Sequence, residues 1–190
     1  WIDPEQNRNH AGLGDLNLAT KTVLVNGDRW QITNLFRTYF NTGAPSMGLG
    51  VGTIQLEPGF LLRYKWSDVT LFHGEIKYWL PLGTDTTFNG QVLDYGFGIS
   101  HLWWESDRVA VIPTFEIIGY SVLNGQMTTP SGVAVSTDST HIFNVFPGVR
   151  IANDRGSDLG LFELGISGGW AISNDHFYDA MLRVDVRWSY

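Results

Sequence analysis

The stretch that most constrains this chain is its last: Leu182-Arg183-Val184-Asp185-Val186-Arg187-Trp188-Ser189-Tyr190. Apolar side chains fall on every second position, and Arg183, Asp185, Arg187 and Ser189 fall between them. A period of two specifies a β-strand with one apolar and one polar face. Three charges crowd the polar face, and the chain ends on an aromatic. A strand so divided needs an apolar medium on one side and water or partner charges on the other. Its neighbours must obey the same rule.

They do. Alternation runs through Gly14 to Asn26, Trp30 to Asn41, Ile54 to Trp66, Val69 to Leu82, Gln91 to Trp104, Arg108 to Leu123, His141 to Ala152 and Leu159 to Ile172. The clearest case is Ile54 to Trp66, where Ile54, Leu56, Phe60, Leu62, Tyr64 and Trp66 share a face. Gln55, Glu57, Gly59, Arg63 and Lys65 share the other, with Leu61 as the exception. Asn26-Gly27-Asp28-Arg29 is a hairpin signal. Pro58 sits mid-strand, where it forfeits a ladder bond. Tight turns at 26–29, 67–68, 105–107 and 153–158 alternate with longer loops at 42–52, 83–90, 124–140 and 173–177; residues 1–13 read as a loop.

With the terminal segment this gives nine strands of about 12–14 residues, longer than the five or six usual in soluble sheets. Short turns on one rim and long loops on the other fit an all-β, antiparallel up-and-down transmembrane β-barrel. The outward aromatics nearest the short-turn rim are Trp30, Tyr64, Trp66, Trp103, Trp188 and Tyr190, an interfacial girdle. Single-chain bacterial barrels have even strand numbers. The expectation is therefore one domain over 1–190 that lacks N-terminal strands, with about twelve strands in the intact protein. No signal peptide is visible before Trp1, which points the same way.

Composition agrees. Mean hydropathy is −0.06, and no apolar run approaches the 18 residues of a membrane helix; a barrel escapes that test because only alternate residues face lipid. The 22 Gly, 8 Trp, 7 Tyr and 11 Phe favour strands, turns and aromatic belts. The absence of Cys excludes disulfides and thiolate metal sites. A net charge of −7 argues against a nucleic-acid partner.

Several segments together carry a resemblance: GLGDL (12–16), NTGAPSMGLG (41–50), QLEPGFLLRYKWSD (55–68), GEIKYWLPLG (74–83), FEIIGYSVLNG (115–125) and LRVDVRWSY (182–190). The ordered set resembles the outer-membrane transporter barrels of planctomycete-type bacteria. These are similar to the family named for the MetA pathway of phenol degradation, and distantly to the long-chain fatty-acid transporter barrels. The resemblance implies a bacterial outer-membrane location, passive uptake of an unassigned small solute, and no cofactor. It also makes Leu182, Val184, Val186, Trp188 and Tyr190 the assembly signal read by the barrel-assembly machinery, with outer-membrane lipid as the surrounding partner.

In a barrel the polar face is lumenal. It carries eight bases (Lys21, Arg37, Arg63, Lys65, Lys77, Arg150, Arg183 and Arg187) and six acids (Glu57, Glu75, Asp94, Glu116, Glu163 and Asp185). Two readings stand: a water-filled passage whose charges select what crosses, or cross-strand ion pairs that fill a narrow lumen. Catalysis has weaker support. His73 and Glu75 share a face, and Ser100 or Ser167 could join them, but any two inward residues on one strand have that spacing. His10, His101, His141 and His176 are scattered over loops and strand ends and form no metal-ligand pattern. The glycines at 14, 43, 48, 50 and 52 are followed by no helix, so they suit tight turns, not a phosphate loop. Loop acids Asp138, Asp154, Asp158 and Asp175 read as solvated charge ahead of Ca²⁺ ligands. Three function classes follow in order: an outer-membrane channel or passive transporter, a soluble β-sandwich or lipocalin-like carrier, and an outer-membrane lipid hydrolase.

Overall fold

The structure, a computed structural model, describes residues 2–4, 12–47, 49–83, 90–129, 132–154 and 160–189. The nine alternating segments are all strands: β2 (Leu16–Asn26), β3 (Trp30–Phe40), β4 (Ile54–Lys65), β5 (Thr70–Leu82), β6 (Val92–His101), β8 (Val109–Val122), β11 (Thr140–Asp154), β12 (Leu161–Ala171) and β13 (Tyr178–Ser189). Four short strands lie outside that reading. Ile2–Pro4 (β1) lies in the stretch expected to be loop, Trp104–Glu105 (β7) pairs with β8 beyond the end of β6, and Gln126–Thr128 (β9) and Ala134–Ser136 (β10) make a separate hairpin inside the long loop.

Every long strand pairs antiparallel with its sequence neighbours, in the order β1-β13-β12-β11-β8-β6-β5-β4-β3-β2. The result is an 11-stranded meander curled into a half-barrel. It is not a closed barrel: among the described residues the outer edge of β2 pairs with nothing, and β1 covers only Tyr178, Ala180 and Met181 of the outer edge of β13.

The sheet accommodates two of its mid-strand prolines, Pro58 and Pro147, by a repeated device. Between β4 and β5 the partners run to Leu56↔Leu80 and resume at Gly59↔Lys77, so the gap falls on Glu57 and Pro58. Between β11 and β12 they run to Val145↔Trp170 and resume at Gly148↔Ser167, so the gap falls on Phe146 and Pro147. Each proline therefore sits where the ladder is already interrupted, and its missing N–H breaks no bond there. Each is followed by a glycine that lets the next strand in close. A Cβ on Gly59 would lie 2.7 Å from the Ile76 carbonyl oxygen, and one on Gly148 would lie 2.9 Å from that of Ile166.

The dyad sorts the two faces. On the convex face Phe60, Ile76, Ile117 and Leu182 are exposed, as are Phe97 (55%), Val184 (58%) and Trp188 (67%). Near the tight-turn rim the convex aromatics touch in series across four strands. Ring centroids lie 4.2 Å apart for Trp30–Tyr64, 6.3 Å for Tyr64–Trp66, 5.9 Å for Trp66–Phe72 and 5.6 Å for Phe72–Phe97. The glycine-rich loop after β3 is clamped from outside itself: the Asp15 carboxylate accepts from the backbone N–H of Thr42, Gly43 and Val51. This ties the segments around 12–16 and 41–52 into one unit.

Candidate functional site

The concave face holds the charged residues, and they form three tiers between the long-loop rim and the tight-turn rim. The tier nearest the long loops is packed. Tyr39 donates to Glu57 (2.8 Å) and accepts from Arg37 (2.8 Å), whose Nη1 lies 3.2 Å from the other Glu57 oxygen. Glu57 is fully buried. Lys77 bridges Glu75 and Asp94, both at 2.9 Å, and Asp94 is 2% exposed. Aromatic and aliphatic side chains close over these groups. Ile118, Phe146 and Tyr178 form a buried cluster that Tyr120 and Met181 extend, and Trp79 and Phe177 lie against Tyr120 at 5.6 and 5.5 Å. Asn144 is fully buried on this face, and neither of its amide atoms has a hydrogen-bond partner among the described residues. The same holds for Trp79 Nε1, Asp94 Oδ1 and the Tyr178 hydroxyl.

The middle tier is a bridge across the trough. Glu116 on β8 receives Arg183 from β13 and His73 from β5, the latter at 3.5 Å. Neither partner is on an adjacent strand, so both must reach over small residues. His73 crosses β6 at Gly98, where a Cβ would lie 2.2 Å from its Nε2. Arg183 crosses β12 and β11 above Ser167, its register partner, and Gly148, the partner of Ser167, and its guanidinium stacks on Phe146 at 4.9 Å. Inward glycines thus decide which charges meet.

The tier nearest the tight turns is open. Arg150 lies 4.0 Å from both Glu163 and Asp185, and Arg187 lies 3.0 Å from Asp185. The trough here and at the middle tier has a volume of about 1090 Å³, and Lys21, Arg63 and Arg187 are among the residues on its wall. Lys65 turns away to the rim and pairs at 2.7 Å with Asp68, whose carboxyl this partner holds below its ordinary value.

All fourteen charges picked out by parity lie on strands of the sheet, and most of them meet in cross-strand pairs. The sequence did not single out Tyr39, Asn144 or Phe146, or give His73 its partner in Glu116. Strand parity places Tyr39, His73 and Asn144 inward, but which cross-strand neighbours they reach depends on register. Leu182, Val184, Val186 and Trp188 lie exposed on the convex side of β13; Tyr190 and His10 lie outside the described residues. Glu75 is held by Lys77 and His73 faces Glu116, so His73 and Glu75 do not combine with Ser100 or Ser167. Among the described residues no group of three or more acids and histidines has a metal-binding arrangement. The serine–histidine contact that does form is on the convex side, Ser121 to His141. No protein-family model matches the chain, and no curated protein does.

Proposed function

We propose that this chain forms the wall of a bacterial outer-membrane β-barrel that passes small polar solutes through a charge-lined lumen. One observation carries the reading: the curled sheet is apolar outside and charged inside. A soluble barrel or sandwich has the reverse order, because its core must be apolar. Here Phe60, Ile76, Phe97, Ile117, Leu182 and Val184 are exposed on the convex face, while Glu57, Asp94 and Asn144 are buried on the concave one. An apolar surface this extensive needs lipid or a partner to cover it, and a lipocalin-like carrier would line its interior with the opposite chemistry. The aromatic series from Trp30 to Phe72 supplies an interfacial belt. The ordered segments that resemble the MetA-pathway barrels favour the same answer.

Closure follows from the same chemistry, since lipid tolerates no open sheet edge. Further strands would pair the outer edges of β2 and β13, alongside the start made by β1, to an even total of about a dozen. Orphaned polar atoms on Asn144, Trp79, Asp94 and Tyr178 give the lumen hydrogen-bonding capacity that its own side chains leave unused. β13 would engage the barrel-assembly machinery, and the convex face would meet outer-membrane lipid.

The intact protein should require detergent and migrate faster unboiled than boiled on a denaturing gel. It should also conduct ions in planar bilayers. Solubility without detergent and an unchanged mobility would overturn the barrel. A second reading is favoured by the packed tier around Glu57, Lys77 and Asp94: ion pairs fill the lumen. Heat-dependent mobility with no conductance above lipid alone would select it.

A further inference from the structure

A second site lies on the convex face, where the membrane reading leaves only a uniform apolar surface. Tyr95 on β6, Gly119 and Ser121 on β8, and His141 and Phe143 on β11 all point outward, on three adjacent strands. Gly119 sits directly between Tyr95 and Phe143 in the register. Having no side chain, it lets the two rings fold down and meet over it, their centroids 6.2 Å apart and set edge to face. A Cβ there would lie 2.4 Å from the Tyr95 ring and 3.0 Å from the Phe143 ring. Beside this pair, on the side away from the long-loop rim, a groove of about 240 Å³ is lined by Tyr95, Phe143, Phe97 and Ile117.

Its other end is polar. The Tyr95 hydroxyl lies 3.3 Å from Ser121 Oγ, which lies 2.9 Å from His141 Nδ1. Ser121 is buried beneath the other two, and His141 is exposed. If the chain runs Tyr95 to Ser121 to His141, Nδ1 accepts and Nε2 carries the proton, which makes the exposed edge of the ring a donor. Three hydrogen-bonding side chains on an otherwise apolar surface are expensive in lipid unless they satisfy one another and meet a polar partner. Here they sit at the rim end of an apolar groove.

We infer that this groove binds one membrane lipid, an acyl chain lying along the outer face of the Tyr95–Phe143 pair and between Phe97 and Ile117, with its ester or phosphate oxygen accepting from His141. The inference rests on the proposed membrane location. The order of the groups fits only one orientation of the lipid: headgroup towards the long loops, tail towards the midplane. The buried Ser121 hydroxyl, shielded by Tyr95 and His141, fits a positioning role within the hydrogen-bonded chain and not attack on an ester.

The test is native mass spectrometry of the intact protein, released from detergent after titration with dioleoyl phosphatidylethanolamine. A single retained lipid is expected on the parent, with occupancy at least five-fold lower in His141→Ala and in Gly119→Val. Ser121→Ala should lower it less, because it removes the brace and not the donor. Each variant is first checked for heat-dependent gel mobility. Unaltered mobility with unaltered lipid occupancy in His141→Ala and Gly119→Val overturns the site and leaves the barrel standing; loss of mobility shift in the parent overturns the barrel instead. Release of fatty acid and lysophospholipid by the parent but not by Ser121→Ala would replace binding by hydrolysis.

Discussion

The two ends of the concave face meet the same requirement, charge turned inward, in opposite ways. Toward the long loops the charges are buried: Glu57 is held by Tyr39 and Arg37, Asp94 by Lys77, and aromatic rings close over them. Toward the tight turns Arg150, Glu163, Asp185 and Arg187 stand around an open trough at looser spacing. A buried ion pair loses solvation on both partners, and removing one partner leaves the other stranded. An exposed pair contributes little because water and salt screen it. The same residue types therefore act as mortar at one end and as a field at the other. The middle tier, where Arg183 and His73 converge on Glu116, marks the change.

The sharpest way to break this contrast is to delete one acid. Glu57→Ala should destabilise the folded protein by about 3–5 kcal/mol, because it empties a fully buried site and leaves the largely buried Arg37 with only Tyr39 as a partner. Arg187→Ala at the other end should cost less than about 1 kcal/mol. Urea unfolding of both variants in the same detergent decides it. If the two fall within about 1 kcal/mol of each other, a margin set by those same ranges, the ends do not differ in kind.

A smaller effect separates the ends by packing alone. A Cβ on Gly169 would lie 2.2 Å from the Phe146 ring, in the packed tier. The nearest atom to a Cβ on Gly165, beside the open trough, is Asp185 Cβ at 3.5 Å. Gly169→Ala should therefore cost about 1–3 kcal/mol through overpacking, whereas Gly165→Ala should stay within about 0.5 kcal/mol of the parent. Equal losses in the same unfolding assay would mean that strand entropy, not packing, governs these glycines.

The sequence carried the strands and their faces because both depend on a local period of two: Phe97 and Val184 outward, Glu57 and Arg183 inward. It did not carry what depends on register across several strands. His73 meets Glu116 only because Gly98 lies between them, and Ser121 meets His141 only because β8 and β11 pair at that register. The short strands escaped for a related reason, since three residues such as Ile2–Pro4 hold no measurable period. Pro58 was legible as an irregularity, but its tolerance was not: the ladder gap it occupies is a property of two strands at once.

The smallest structural perturbation tests the open end as a field. Arg187 is half exposed and pairs with Asp185 at 3.0 Å, so reversing it to Glu should leave stability within about 1 kcal/mol of the parent. Its electrostatic effect should be larger than its structural one. With Lys65 turned to the rim, seven concave-face bases face six acids, a mild excess that would favour anions in the proposed lumen despite the net charge of −7 for the chain. Arg187→Glu turns that count to six bases and seven acids at a place where Glu163 and Asp185 already stand close. In planar bilayers under a salt gradient the parent should show a reversal potential on the anion side, and the variant should move towards cations. The shift should shrink as salt rises, because the screening length falls from about 10 Å at 0.1 M to about 3 Å at 1 M. A shift of equal size at both salt concentrations would mean that Arg187→Glu alters the width of the lumen and not its field.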